Sequence, residues 1–283
     1  MKHPPRKRFG QHWLTSEKIL HEILRAANLS SSDRVLEIGP GTGVLTRWLL
    51  PLAEQVTAIE VDHDLCEMLR HQFKDAKHLQ LIEGDVLQLD LEQAIALEAE
   101  SAAAQPPLPN KVVANIPYYI TGPILETLLG TIAQPANHRY DSIVLLTQRE
   151  VANRLCANAG SKAFGALSVR VQYLADCEFI CPVPAKAFQP PPKVESAIVR
   201  LMPRSPQPVA IDPVHLDRLV KLGFATKRKM LRNNLKSVVE RDRLCHLLEQ
   251  LKVSAQARAE DLTVAQWVGL SNALVKGAVS SPT

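Results

Sequence analysis

The segment Arg34-Val-Leu-Glu-Ile-Gly39, followed at once by Pro-Gly-Thr-Gly43, constrains this chain more than any other. A short apolar run that stops at glycine reads as a buried strand ending in a turn. Glycines let the backbone turn tightly and come close to a ligand. The spacing is G-x-G-x-G. Position 44 is valine, so the dinucleotide pattern G-x-G-x-x-G lacks its last glycine. No Gly-Lys-Ser/Thr follows, which excludes a phosphate-binding P-loop. The acid within the strand, Glu37, repels phosphate and suits a positively charged or amine-bearing ligand. The alternative reading is an ordinary strand–helix turn.

Four more strands follow the same logic: Gln55–Glu60, Leu79–Asp85, Val112–Asn115 and Ser142–Thr147. Helical stretches at Gly43–Leu52 and Leu65–Phe73 lie between the early ones. Strands alternating with helices make βαβ units and a parallel sheet. In such sheets, ligands sit at the carboxyl ends of the strands. Gly39, Glu60, Asp85 and Asn115 all fall at such ends. Residues 91–111 are rich in Ala, Glu and Pro and read as a surface insertion, a short helix and then a loop.

From Met202 to Pro213 the chain is rich in Pro and Ser, which reads as a linker. Beyond it, Val214–Leu222, Lys227–Val239, Asp242–Lys252 and Val264–Val275 have helical spacing. The expected architecture is an α/β, Rossmann-like domain over 1–203 and a small all-helical domain over 204–283. Charge divides the same way. Residues 1–200 hold 20 Lys/Arg and 22 Asp/Glu, a net −2; residues 201–283 hold 13 and 7, a net +6. A basic tail third points to an anionic macromolecule, RNA above all. Residues 221–236 carry six Lys/Arg and no acid. Lys227, Arg228, Lys229 and Arg232 are candidates for phosphate contact; the alternative is a solvated helix face.

Composition narrows the setting. No run approaches the roughly 18 uncharged apolar residues of a membrane span, and the basic N-terminus lacks the apolar stretch of a secretory signal. A cytoplasmic protein without membrane contact is expected. The five cysteines include no C-x-x-C pair, so reduced thiols are expected and no metal. No additional apolar face is evident, which reads as a monomer.

The strand-end residues suggest chemistry. Glu60, rather than its neighbour Asp62, can accept hydrogen bonds from ribose hydroxyls. Asp85 can accept from the exocyclic amine of an adenine; alone, Gly84-Asp85 is a turn. Asn115-Ile-Pro-Tyr118 is the decisive tetrapeptide. The Asn115 amide oxygen and the Pro117 carbonyl can each accept one hydrogen of an exocyclic amine. That pushes the amine lone pair out of conjugation. Tyr118 offers a face for a base, which must be unpaired or flipped out.

With these residues in place, the sequence resembles the rRNA adenine N6-dimethyltransferases that use S-adenosyl-L-methionine. The likeness covers nearly the whole chain. Phe9-Gly-Gln-His-Trp-Leu14 is similar to that family's N-terminal motif, although Phe is common where this chain has Trp13. Phe188-Gln-Pro-Pro-Pro-Lys-Val-Glu-Ser196 resembles a later motif, and Phe224–Leu235 a basic helix. The resemblance implies His12 and Leu14 at the methionine end of the cofactor, Gly39 and Gly41 beside it, Glu60 on its ribose, and Asp85 with Val86 on its adenine. Asn115 would adjoin both cofactor and target. Phe188 would pack against the target base from the rim of the site, the alternative being a core aromatic. Among subgroups, the small-subunit (16S) enzymes match best. They place two methyl groups on each of two adjacent adenosines in the 3′-terminal hairpin loop. The implied partner is small-subunit rRNA within an immature small ribosomal subunit. Three other readings stay open: a large-subunit rRNA methyltransferase of the antibiotic-resistance type, an assembly factor whose methylation is secondary, and an N6-adenine DNA methyltransferase.

Overall fold

In the computed structural model, residues 12–98 and 107–279 are described. Their contacts form two compact units. The first comprises the described residues to Thr127, together with His138–Ala152 and Glu178–Pro203. The second takes Leu128–Asn137, Asn153–Cys177 and the described residues from Arg204 onward. The helical unit is therefore not a single C-terminal segment. A division at 203/204 omits 153–177 because that stretch bonds to the later chain. Ala210 N donates to the Tyr173 hydroxyl at 3.1 Å, and Arg204 donates to the Gln172 carbonyl at 3.0 Å.

Among the described residues there are nine strands. They are β1 (Trp13–Leu14), β2 (Arg34–Ile38), β3 (Gln55–Glu60), β4 (Leu79–Glu83), β5 (Lys111–Asn115), β6 (Ser142–Gln148), β7 (Ala175–Val183), β8 (Phe188–Gln189) and β9 (Ser196–Pro203). Seven form one sheet in the order β4-β3-β2-β5-β6-β9-β7. Strands β2 to β6 pair in parallel, and β9 runs antiparallel to β6. The chain winds outward from β2 to β4, then crosses back to β5 on the other side of β2. The switch point lies between β2 and β5, where an open α/β sheet leaves a crevice at its carboxyl edge.

The sheet's central strands are apolar on both faces, as a doubly covered sheet requires. Val35, Leu36, Val56, Val112, Val113 and Val144 have no exposed surface. One covering helix is α1 (Glu17–Ala27), which turns Ile19, Leu20, Ile23, Ala26 and Ala27 inward. That is an i, i+1, i+4, i+7, i+8 stripe along one helix face. It ends at Asn28, whose φ of 44° suits the left-handed cap that asparagine tolerates. The others here are α2 (Val44–Leu49), α3 (His63–Gln72), α4 (Leu91–Glu98), α5 (Thr121–Leu129) and α6 (Arg149–Leu155).

The second unit holds α7 (Ala166–Leu174), α8 (Pro213–Gly223), α9 (Leu231–Asn234), α10 (Arg241–Gln250) and α11 (Val264–Val279). The helix expected over Lys227–Val239 is largely absent. Only α9 forms, and Lys227, Arg228 and Lys229 lie in the exposed turns before it. The apolar spacing is real, since Leu231 and Leu235 are fully buried and Val239 nearly so. Continuation fails because Asn234 turns back to donate to the carbonyls of Gly223 and Thr226. Asparagine in this role competes with helix extension.

Candidate active site

A cavity opens at the carboxyl edge of β2, β3, β4 and β5, wholly within the first unit. The Gly39–Gly43 loop forms one wall. Gly39, Gly41 and Gly43 have φ of 68°, 60° and 74°, a region L-residues adopt at a cost. A Cβ on Gly39 would meet only the Asn115 carbonyl, at 4.0 Å, and would otherwise enter open space. A Cβ on Gly41 would lie 2.5 Å from the Trp13 ring. The first glycine thus keeps room for a ligand, and the second lets Trp13 close on the loop.

The floor is acidic. Glu37 is 1% exposed, and its Oε2 has no hydrogen-bond partner. Burial, reinforced by the neighbouring Glu60 charge, raises its carboxyl to about 8, against the opposing pull of Thr46. Glu60 is also buried, and burial raises its carboxyl too. Its oxygens accept from three backbone amides: Gly41, Val61 and Asp62, each at 3.0 Å. These bonds fix the loop and leave Oε2 one further lone pair. Asp85 is half-buried; Leu87 N donates to it at 3.0 Å and Gln88 at 3.2 Å. So Asp85 shapes its own turn while each oxygen keeps a free acceptor site. Val86 beside it is buried apolar surface.

Asn115 ends β5. Its amide donates to the His12 carbonyl at 3.4 Å, and its Oδ1 has no partner among the described residues. The Pro117 carbonyl accepts from Ile120 N at 3.3 Å and keeps a second lone pair. Tyr118 opens the 3₁₀ turn Tyr118–Ile120. Its hydroxyl is hydrogen-bonded to the Ser196 hydroxyl, and burial raises it. The His12 ring lies near-parallel to it, with centroids 6.2 Å apart and planes 21° off. His12 itself is held by the Pro190 carbonyl at 2.8 Å.

Of the sequence-predicted residues, His12, Leu14, Gly39, Gly41, Glu60, Asp85, Val86, Asn115, Pro117 and Tyr118 all line this one cavity. Phe188 does not. It is 2% exposed and belongs to the apolar core. The correction follows from strand pairing. β8 pairs antiparallel with β1, Leu14 opposite Phe188, so Phe188 points inward and Gln189 outward. The prolines after it fix the loop rather than a rim aromatic. Lys227, Arg228, Lys229 and Arg232 lie in the second unit. The motif residues Phe9, Gly10 and Gln11 fall outside the described residues.

Three residues in the site have no assigned role in the sequence reading: Trp13, Ser196 and Tyr119. Trp13 gives its signal only through Gly41, whose missing Cβ it fills. Ser196 is fully buried, paired with Gln148 across β6 and β9. Its hydrogen-bond partner, Tyr118, is 78 residues away, beyond any local pattern.

The donor set fits one kind of ligand. An unpartnered buried carboxyl suits a cationic or amine-bearing group, free acceptors at the strand ends suit hydroxyls and an adenine amine, and the glycine cradle admits them closely. Asn115 Oδ1 and the Pro117 carbonyl are two further acceptors on the same cavity. Over residues 2–276 the chain matches the ribosomal RNA adenine dimethylase family.

The chain belongs to the ribosomal RNA adenine dimethylase family.

Relatives agree in detail. The ribosomal RNA small subunit methyltransferase A of Trichormus variabilis is 62% identical over 270 residues, 95% of this chain and 98% of that one. That of Nostoc punctiforme is 59% identical, covering 95% of each. Among solved structures, a dimethyladenosine transferase from Plasmodium falciparum has a TM-score of 0.75 at 28% identity. It covers 94% of this chain and 98% of its own. The 23S rRNA methyltransferase ErmE has a TM-score of 0.71 at 29% identity, covering 93% and 99%. As a member of the dimethylase family, the chain is a methyltransferase with a Rossmann-like fold. Among the described residues, no three His, Cys, Asp or Glu side chains gather as a metal site, and no helix is long and apolar enough to cross a membrane.

Proposed function

We propose that this chain dimethylates N6 of two adjacent adenosines in the 3′-terminal hairpin loop of 16S rRNA, using S-adenosyl-L-methionine, during small-subunit biogenesis. The observation that carries this reading is the pairing of two acceptors with a free lone pair, Asn115 Oδ1 and the Pro117 carbonyl, in a cavity with an unpartnered acid on its floor. When bound, the cofactor supplies an electrophilic methyl on a sulfonium, already a good leaving group. His12 and Leu14 hold its methionine end, Gly39 and Gly41 admit it, Glu60 takes a ribose hydroxyl, and Asp85 with Val86 takes its adenine. In the first transfer Asn115 and Pro117 would accept the two N–H groups of the target amine and turn its lone pair outward; the monomethylated amine keeps one N–H for the second. Tyr118 holds the flipped base by its face. The residues act by positioning. Each methyl gained would release one N6 proton to solvent, and such a direct displacement requires neither a covalent enzyme intermediate nor a metal. On this reading the enzyme acts as a monomer in the cytoplasm, and the basic residues Lys227, Arg228, Lys229 and Arg232 of the helical unit contact RNA phosphates.

The test is methyl transfer from labelled cofactor onto small subunits from cells lacking the modification, with mass mapping of the product. Label as N6,N6-dimethyladenosine in the 3′-terminal hairpin is the expected result. Asn115→Ala is expected to abolish it while retaining cofactor binding. Near-normal turnover in that variant sinks the site assignment. The likeness to ErmE keeps a large-subunit reading in view, and label on 23S rRNA would favour it. No label on either, with cofactor bound, would favour an assembly factor.

A further inference from the structure

Among the described residues, Tyr119 is the only Phe, Tyr or Trp that is mostly exposed, at 62%. Its ring has no aromatic partner there and its hydroxyl no hydrogen bond. Yet it lines the cavity that holds Asn115 and Tyr118. Exposure rises along this wall, from Ile116 at 2% to Tyr119 at 62%, so Tyr119 stands at the mouth. The floor, where Glu37 and Glu60 are nearly enclosed, is the cofactor's end.

The local backbone separates the two tyrosines. They are consecutive in a 3₁₀ turn, which has three residues per turn, so their side chains diverge by about 120°. Tyr118 is tied inward to Ser196. Tyr119 therefore cannot share its base. A base swung out of its stack leaves its neighbour with an uncovered face. A neutral flat ring at the mouth matches that face, and every base has one. It carries no charge for a phosphate.

We propose that Tyr119 stacks on the nucleobase adjoining the target adenine and so sets the register of the RNA strand over Asn115. This rests on the reading of the site as an RNA adenine methyltransferase. Tyr119 is a substrate-positioning residue; it takes no part in the transfer itself.

The test compares Tyr119→Ala and Tyr119→Phe with the wild type on unmodified small subunits. Tyr119→Ala is expected to raise KM for the particle about ten-fold, the scale of one lost base stack, with kcat little changed. Tyr119→Phe restores it, because the ring and not the hydroxyl makes the contact. Cofactor affinity by calorimetry and the thermal midpoint stay unchanged in both. An unchanged KM in Tyr119→Ala overturns the proposal. So does a Tyr119→Phe variant as poor as Ala, or weakened cofactor binding. A second readout does not need turnover: hairpin RNA carrying 2-aminopurine beside the target adenosine. Stacking quenches its fluorescence with wild type and Tyr119→Phe, but not with Tyr119→Ala. Equal fluorescence in all three overturns the proposal whether or not methyl is transferred. Quenching without methyl transfer overturns only the functional reading.

Discussion

Glu37 is the residue whose chemistry departs furthest from its sequence appearance. A glutamate in a strand reads as a charge aimed at a cationic ligand. In the fold it is enclosed, lacks a partner on Oε2, and is held at about 8. Without cofactor it is therefore mostly protonated at neutral pH, and a ligand bearing positive charge would favour the ionised form. A stability prediction follows for the protein without cofactor. The unfolded chain loses this proton near the ordinary value of 4.5, whereas the folded chain keeps it to about 8. Between those values the folded state binds more protons, so its stability falls as pH rises. Glu37→Gln removes that loss. Its stability relative to wild type should rise from pH 5 to pH 8, by an amount on the order of a few kcal/mol. Denaturant titrations at several pH values measure it. A difference that stays flat with pH would show that Glu37 is ionised in the fold. The glutamate itself was legible in the sequence. Its enclosure was not, because burial comes from β3, α2 and the glycine loop together.

Strand alignment rests on a second acid, at the opposite end of the strands from the cavity. Asp33 precedes β2. Burial alone would raise its carboxyl, but bonds from Asn110, Ser30 and Lys111 outweigh it and hold it at about 2. Asn110 donates to Asp33 at 2.8 Å and to Asp141 at 2.9 Å, and accepts from Arg34 N at 2.8 Å. The starts of β2, β5 and β6 are thereby tied together. Asp33→Ala is expected to cost about 2–3 kcal/mol, the scale of removing a hydrogen-bonded charge with its partners left behind. Methylation at permissive temperature should stay within two-fold of wild type, since the cavity lies elsewhere. A lost activity in a stable variant would contradict this division of labour. In the wild type this contribution is present above pH 4 and fades as pH falls towards about 2. The element pattern explains what could be read in advance. β2 to β5 are short apolar runs leading into Gly, Glu, Asp or Asn, β6 is an apolar run ending in Thr-Gln, and the sequence places all five. β7 carries no such mark, because its residues alternate irregularly between buried and exposed. β1 and β8 are two-residue strands that exist only by pairing with each other. Phe188 was misplaced for that reason, since its direction depends on a partner 174 residues away. The candidate site was legible from chemistry where a residue sits at a strand end, reached His12 and Leu14 only through the family resemblance, and stayed hidden at Ser196, which depends on contact between distant segments.

At the scale of the whole molecule, the asymmetry is electrostatic. Positive charge is concentrated in the last third, and Lys227, Arg228 and Lys229 are exposed in consecutive positions. The sequence reading placed them on a helix face; they occupy turns instead. That change of backbone leaves the charge argument intact, because phosphate attraction depends on exposure and sign more than on helical spacing. The two kinds of RNA contact proposed here then make separable predictions. Phosphate contacts release counterions, so each one lost lowers the slope of log affinity against log salt by about 0.7–0.9. Base stacking releases none. Replacing Lys227, Arg228 and Lys229 together by Ala should weaken binding to small-subunit rRNA at low salt and flatten the slope by about two. Cofactor affinity should not move, because the cavity lies in the other unit. Tyr119→Ala should weaken binding with the slope unchanged. Filter-binding titrations from low to high salt distinguish them. A triple variant with the wild-type slope would mean that these cations face solvent in the complex, and that the RNA path must be sought on the remaining basic residues of the helical unit.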